Sequence, residues 1–331
     1  MNYVVVDFEW NQSSYGRGSE NHRIPFEIIE IGAVMLDENL QEIDRFSETI
    51  RPKLYKKLHY VTRELTGITQ AELNASEPFP YVLVDFMLWC GEDYIFCTWG
   101  NTDLVELQRN MKFYHLEDLL EGPIRYYNVQ KFFRKFFRPE AGSASLESAV
   151  DFFGLAKSAN FHRAINDAEY TAEIFKQMDP EKVDEYFSVD FYQNPKSKEE
   201  ELHIYYRDYY KYVSREFYSK EDAFDDREVR SVRCFICDQP TKKKLGWFAG
   251  KTKNYFCLGY CPEHGYISGR IHIKRTDRDR VFAVKTLSLT DEQGAEKLQQ
   301  MKQEVVDRRR EKRHRGSDAP AHREENKEAE E

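Results

Sequence analysis

Long hydrophobic runs are missing from this 331-residue chain: no stretch of eighteen apolar residues occurs, so no membrane-spanning helix is expected. The opening MNYVVVDFEW has no basic start and carries an acid at position 7, which argues against a signal peptide. Cysteine is scarce, with six residues, and four of them fall between positions 234 and 261. That clustering points to metal binding in a reducing, cytoplasmic setting rather than to a disulfide framework. Internal repeats are absent as well. What remains, 15% aromatic and 32% charged residues, suits a soluble globular protein with room for two domains and a sizeable core in the first.

The net charge of −9 is unevenly spread. Residues 1–178 hold 18 Lys+Arg against 27 Asp+Glu, whereas residues 231–289 hold 12 against 4. A basic segment on an acidic body is a candidate contact for a polyanion.

Apolar patterning organises the first half. YVVVDFEW (3–10), EIIEIGAVML (27–36) and RFSETIRP (45–52) read as strands, followed by a helix over 81–91, a strand over 94–100 and a helix from Thr102. NVQKFFRKFFR puts Val129, Phe132, Phe133, Phe136 and Phe137 on one helical face, a core stripe rather than a membrane or nucleic-acid face. SLESAVDFFGL and DAEYTAEIFKQM add two more helices. Strands first and strand–helix alternation after predict an α/β domain over 1–178. A charged, Tyr-rich helical connector is expected over 179–230 and a compact basic module over 231–289. A charged helix and a disordered tail are expected over 290–331.

Asp7 and Glu9 lie two apart on a strand, so both leave the same face. Neighbouring carboxylates repel unless a cation sits between them, and oxygen ligands favour magnesium or manganese. Two acids ending a strand in solvent would look the same. Asp103 falls where a strand gives way to a helix, the place where open α/β sheets gather ligands, and also where an acid caps a helix. In NFHRAINDAEYTAEIF, His162 precedes Asp167 by five residues at another helix start. Imidazole titrates near neutrality and suits removal of a proton from water.

Together these residues, D-x-E, a mid-chain Asp and His-x4-Asp, resemble the DEDDh family of 3′→5′ exonucleases over roughly residues 1–178. FEIIEIGAVMLD and RPKLYKKLHYVTRELTGITQAEL support the likeness. DFEW and TWGNTDL narrow it to the RNA-trimming branch of histone-mRNA and small-interfering-RNA exonucleases and to the sporulation-kinase-pathway inhibitors. The resemblance implies a ribonuclease-H-like mixed five-stranded sheet flanked by helices. It further implies two Mg2+ or Mn2+ ions on Asp7, Glu9, Asp103 and Asp167, with His162 accepting a proton. Nucleoside 5′-monophosphates would leave the 3′ end of single-stranded RNA, which the branch favours over DNA.

Cys234-x2-Cys237 and Cys261-x2-His264 have the spacing of a zinc ribbon, with Cys257 as the substitute should His264 face away. Four protein ligands leave no open position, so this Zn2+ is expected to be structural. Trp247, Lys243, Lys244 and Arg270 are candidates for stacking bases and contacting phosphates, although a lysine turn over a small aromatic core would read alike. The resulting expectation is a 3′→5′ exonuclease with a basic, zinc-bearing module. A DNA exonuclease and a regulatory binding protein on the same fold stand as alternatives.

Overall fold

A computed structural model of the chain describes every residue except 16–17, 140–143, 158–159, 251–252, 277 and 318–331. The tail expected to be disordered lies, from residue 318, outside the described residues, as does Lys251 of the lysine-rich stretch. Two compact units divide at Gln193.

The first unit opens with three antiparallel strands, β1 (Asn2–Asn11), β2 (Glu27–Leu36) and β3 (Glu42–Arg51). Short helices α1 (Tyr60–Thr66) and α2 (Gln70–Ala75) and a two-residue strand β4 (Glu77–Pro78) follow, then α3 (Phe79–Cys90), β5 (Tyr94–Thr98), α4 (Asp103–Phe113), β6 (Ile124–Asn128), α5 (Val129–Phe136), α6 (Leu146–Phe153) and α7 (Ala164–Phe175). The short helix α8 (Pro180–Asp184) and strand β7 (Ser188–Asp190) complete the unit. Strand order is β4-β3-β2-β1-β5-β6-β7, with β5 parallel to both β1 and β6. The five central strands form the mixed, ribonuclease-H-like sheet; β4 and β7 are short additions at its edges. Alternation in β1 sends Tyr3 and Val5 into a core shared with α5, α6 and α7, and Val4, Val6 and Phe8 into a core shared with α3 and α4. Phe132 and Phe133 are fully enclosed, so the aromatic stripe of α5 packs inward. Lys131 beside them donates to the carbonyls of Tyr186 and Phe187.

The segment 179–230 is not a helical connector. Its first part ends in β7, which pairs with β6. Its Tyr-rich part forms a hairpin, β8 (Leu202–Tyr205) and β9 (Tyr209–Val213), followed by α9 (Lys220–Asp225) and α10 (Arg227–Arg230). The physical reason is period two: Tyr210 and Tyr212 point into a core while Tyr209 and Lys211 leave the other face. That hairpin extends a six-stranded antiparallel sheet, β10-β11-β12-β13-β9-β8, in which β10 is Lys242–Ala249, β11 Asn254–Cys261, β12 Gly265–Arg275 and β13 Val281–Thr290. The module expected over 231–289 is therefore part of a larger sheet rather than a free-standing ribbon. Helix α11 (Glu292–Ser317) closes the described chain. Among the described residues no helix is long and apolar enough to cross a membrane.

Candidate active site

Asp7 and Glu9 project from β1 toward α7, half-buried, and a register shift between Glu9 and Trp10 marks a bulge beside them. Asp103 is the first residue of α4, just past the end of β5, and is 5% exposed. The helix cap, Thr102, makes no side-chain capping bond, and the Asp103 carboxylate acts by its charge on Asp7. Asp167 lies in the first turn of α7, which begins at Ala164, three residues ahead of the expected start. Glu9, His162 and Asp167 bring one ligand atom each to within 4.8 Å of one another.

Electrostatics tie all four carboxylates together. Burial, then Asp103, Asp167, Glu9 and Glu30, push the Asp7 carboxyl well above the usual range. Burial first, then Asp167, Glu30 and Asp103, raises Glu9 to about 8, Arg163 opposing. Burial lifts Asp103 to about 7, against its own backbone N–H and with the charges of Glu106 and Asp167 adding to the rise. Asp167 is lifted by burial to about 6, held back by the backbone N–H of His162. One oxygen of Asp167, Oδ1, is buried without a hydrogen-bond partner. Like charges packed this closely favour either protonation or a cation between them.

Three residues not singled out from the sequence, Glu30, Arg163 and Gly32, hold the cluster in place. Glu30, opposite Glu9 on β2, is fully buried and accepts from Arg163 Nε at 2.8 Å, Arg163 Nη2 at 2.6 Å and the backbone N–H of Ala164 at 2.9 Å. The α7 N-terminus has no cap of its own, so a carboxylate from a strand 134 residues away satisfies its first amide. His162 sits exposed at the turn before it, in a left-handed conformation (φ 66°), its N–H donating to Asp167 Oδ2 at 3.1 Å. Gly32 lets α7 lie directly on β2, since a Cβ there would stand 2.0 Å from Ile165 N. An acid inside the apolar run EIIEIG was the available signal for Glu30; nothing in sequence spacing linked it to Arg163.

In the second unit Cys234, Cys237, Cys261 and His264 converge. Cys234 Sγ is 3.6 Å and Cys261 Sγ 3.7 Å from His264 Nδ1, and the Cys237 and Cys261 sulfurs are 3.7 Å apart. A tetrahedral centre with bonds of about 2.3 Å to sulfur and about 2.0 Å to nitrogen spaces its ligands about 3.5–3.8 Å apart. Cys257 stays out of the cluster, buried beneath Gly269, its thiol pushed up to about 12 by burial. The four residues expected to contact substrate do not share a face. Lys243 and Trp247 line one groove; Arg270 lies opposite Phe256, on the face that carries α11, and Lys244 sits 5.3 Å over the ring of Tyr260 on that same face.

The first unit has counterparts in known proteins. The exonuclease family of the RNase T type matches residues 4–175, more than half of the chain. The chain belongs to that family. It is 27% identical over 185 residues to the probable 3′-5′ exonuclease KapD of Bacillus subtilis, covering 54% of this chain and 85% of KapD. It is 24% identical over 185 residues to 3′-5′ exoribonuclease 1 of Rattus norvegicus (53% of this chain, 52% of the relative). A further match, 30% identical over 174 residues, is the PolC-type DNA polymerase III of Clostridium perfringens (53% and 11%). The chain thus spans about half of the rat relative and a small part of the polymerase. Among solved structures, the nuclease domain of 3′hExo, a DEDDh family member bound to rAMP, aligns at 21% identity and a TM-score of 0.49, covering 57% of this chain and 96% of that one.

Proposed function

We propose that this protein is a metal-dependent 3′→5′ exonuclease that removes nucleoside 5′-monophosphates from single-stranded RNA. The observation that carries the reading is the convergence of Glu9, His162 and Asp167, with Asp7 and Asp103 coupled to them through their charges. The donor set fits divalent cations: four carboxylates crowd one another, and Asp167 Oδ1 is buried with no other partner. Asp7, Glu9, Asp103 and Asp167 would hold Mg2+ or Mn2+. When bound, such ions neutralise charge on a phosphodiester and make water more acidic.

The chain's own residues supply the rest. His162, at the exposed rim, takes the proton of the attacking water on its ring. Its backbone tie to Asp167, and the grip of Glu30 on Arg163 and Ala164, fix where that ring stands. In the second unit, the spacing of Cys234, Cys237, Cys261 and His264 supports a structural Zn2+ joining the turn at 234–239 to the hairpin of β11 and β12.

RNA is favoured because relatives named as exoribonucleases match over this domain. The polymerase relative supports a second reading, a DNA exonuclease. Digestion of matched 5′-labelled RNA and DNA oligomers with Mg2+ separates them. Faster shortening of the RNA is expected; faster shortening of the DNA would replace the first reading by the second.

A further inference from the structure

A groove of ≈ 700 Å³ lies wholly within the second unit, between α9–α10 and the β10–β11 hairpin. That size is in the range of about 300–1,000 Å³ typical of small-ligand sites. Arg227, Arg230 and Lys243 line it, and Asp225 is the one acid on that lining. All three cations are exposed, and none has a carboxylate within ion-pair distance among the described residues. Trp247 and Phe224 supply aromatic surface.

The cations and the indole are held in place beforehand. Asp226 caps α10 by accepting from Glu228 N at 2.8 Å and Val229 N at 3.1 Å, and is itself held by Arg215 Nη2 at 2.9 Å. At the other end the buried Lys285 donates to the carbonyls of Glu228 and Ser231. A buried ammonium thus ties down a four-residue helix whose two arginines remain unpaired. Trp247 Nε1 donates to the Arg230 carbonyl at 2.9 Å, and its ring packs on Gly269, where a Cβ would meet it at 2.8 Å. A rigid aromatic beside three unpaired cations, with Asp225 the one acid on the lining, is complementary to a base and its flanking phosphates.

We propose that this groove binds a single-stranded nucleic acid, stacking a base on Trp247 and placing phosphates against Arg227, Arg230 and Lys243. The inference rests on the exonuclease reading for the identity of the polyanion. It also reassigns the contact set: Arg227 and Arg230 belong to it, whereas Lys244 and Arg270 face the other way.

The test measures binding of a fluorescent single-stranded RNA to full-length Asp7→Ala protein, with and without Arg227→Gln/Arg230→Gln/Lys243→Gln. All three positions are exposed. At about 0.7 in salt slope per phosphate contact on a single strand, losing three contacts lowers the slope by about 2 and weakens binding about 100-fold at 0.1 M salt. Trp247→Phe, which keeps an aromatic face but loses the Nε1–H bond to Arg230 and the reach to Gly269, is expected to weaken binding less while leaving the slope unchanged. An unaltered slope and affinity in the triple variant would overturn the proposal, as would a duplex competing as well as the single strand. Hydrolysis of the p-nitrophenyl ester of thymidine 5′-monophosphate by the triple variant with Asp7 intact reads the nuclease separately. Wild-type turnover with lost RNA binding supports the groove. Lost turnover in the unsubstituted protein would instead strike the exonuclease reading.

Discussion

Gly32→Ala is the sharpest perturbation of the candidate site that touches none of its functional groups. A Cβ at position 32 would lie 2.0 Å from Ile165 N and 2.1 Å from Ala164 C, both backbone atoms that no rotamer change can move. To reach ordinary contact at 3.4 Å, the start of α7 must retreat by about 1.4 Å. Overpacking of this kind costs about 1–3 kcal/mol, with about 2–4 °C of Tm per kcal/mol in a unit of this size. The catalytic consequence is larger. The retreating segment carries Asp167 and His162 and is tied to Glu30, and a misplacement of about 1 Å lowers turnover about 100-fold. The assay is steady-state hydrolysis of a short oligonucleotide beside thermal unfolding followed by circular dichroism. Gly18→Ala serves as the control, because a Cβ there meets nothing within 4 Å. A Gly32→Ala protein with wild-type kcat and Tm would refute the argument that backbone contact between α7 and β2 sets the site.

Arg163→Ala strips the countercharge from the fully buried Glu30 and is expected to cost about 3–5 kcal/mol, seen as a lower Tm; Arg163→Lys recovers only part, lacking the two-pronged grip. Glu9, Asp103 and Asp167 sit at about 8, 7 and 6 when folded, above ordinary values of 4.5, 3.8 and 3.8. The folded state therefore binds more protons, and their contribution to stability is full below the unfolded values and lost as pH rises through 6–8. In magnesium-free buffer Tm should fall from pH 5 to pH 8.5, and added Mg2+ or Mn2+ should raise it most at the alkaline end; an unchanging Tm would contradict the crowding of charge. Elemental analysis should find one zinc per chain, lost in Cys234→Ser and retained in Cys257→Ser.

How much of this was legible in the sequence follows from the range of each interaction. Asp7 and Glu9 declared their shared face because strand alternation is local. Asp103 and Asp167 were visible as acids at helix starts, but the start of α7 depends on Glu30, which lies 134 residues away and leaves no periodic trace near Ala164. The strand IRYYN at 124–128 went unread because it runs straight into the helix at Val129, with no turn residues between. YYRDYYKYV contains so many tyrosines that helical and alternating patterns both fit; pairing of β9 with β13 decides the matter. The same limit hid which face of the sheet Arg270 takes. Which face a strand residue takes depends on register: a Cβ at Gly269, one position away, would point at Trp247 and Cys257, whereas Arg270 lies on the face with α11.

The most direct measurement of the central claim follows a 5′-labelled single-stranded RNA with wild-type and Asp7→Ala protein, with Mn2+ present or absent. The account predicts a ladder shortening from the 3′ end one nucleotide at a time, with 5′-monophosphates released, and abolished by the substitution or by omitting the metal. An RNA and a matching DNA left intact by the wild-type protein, or an Asp7→Ala protein that makes the same ladder, would contradict it.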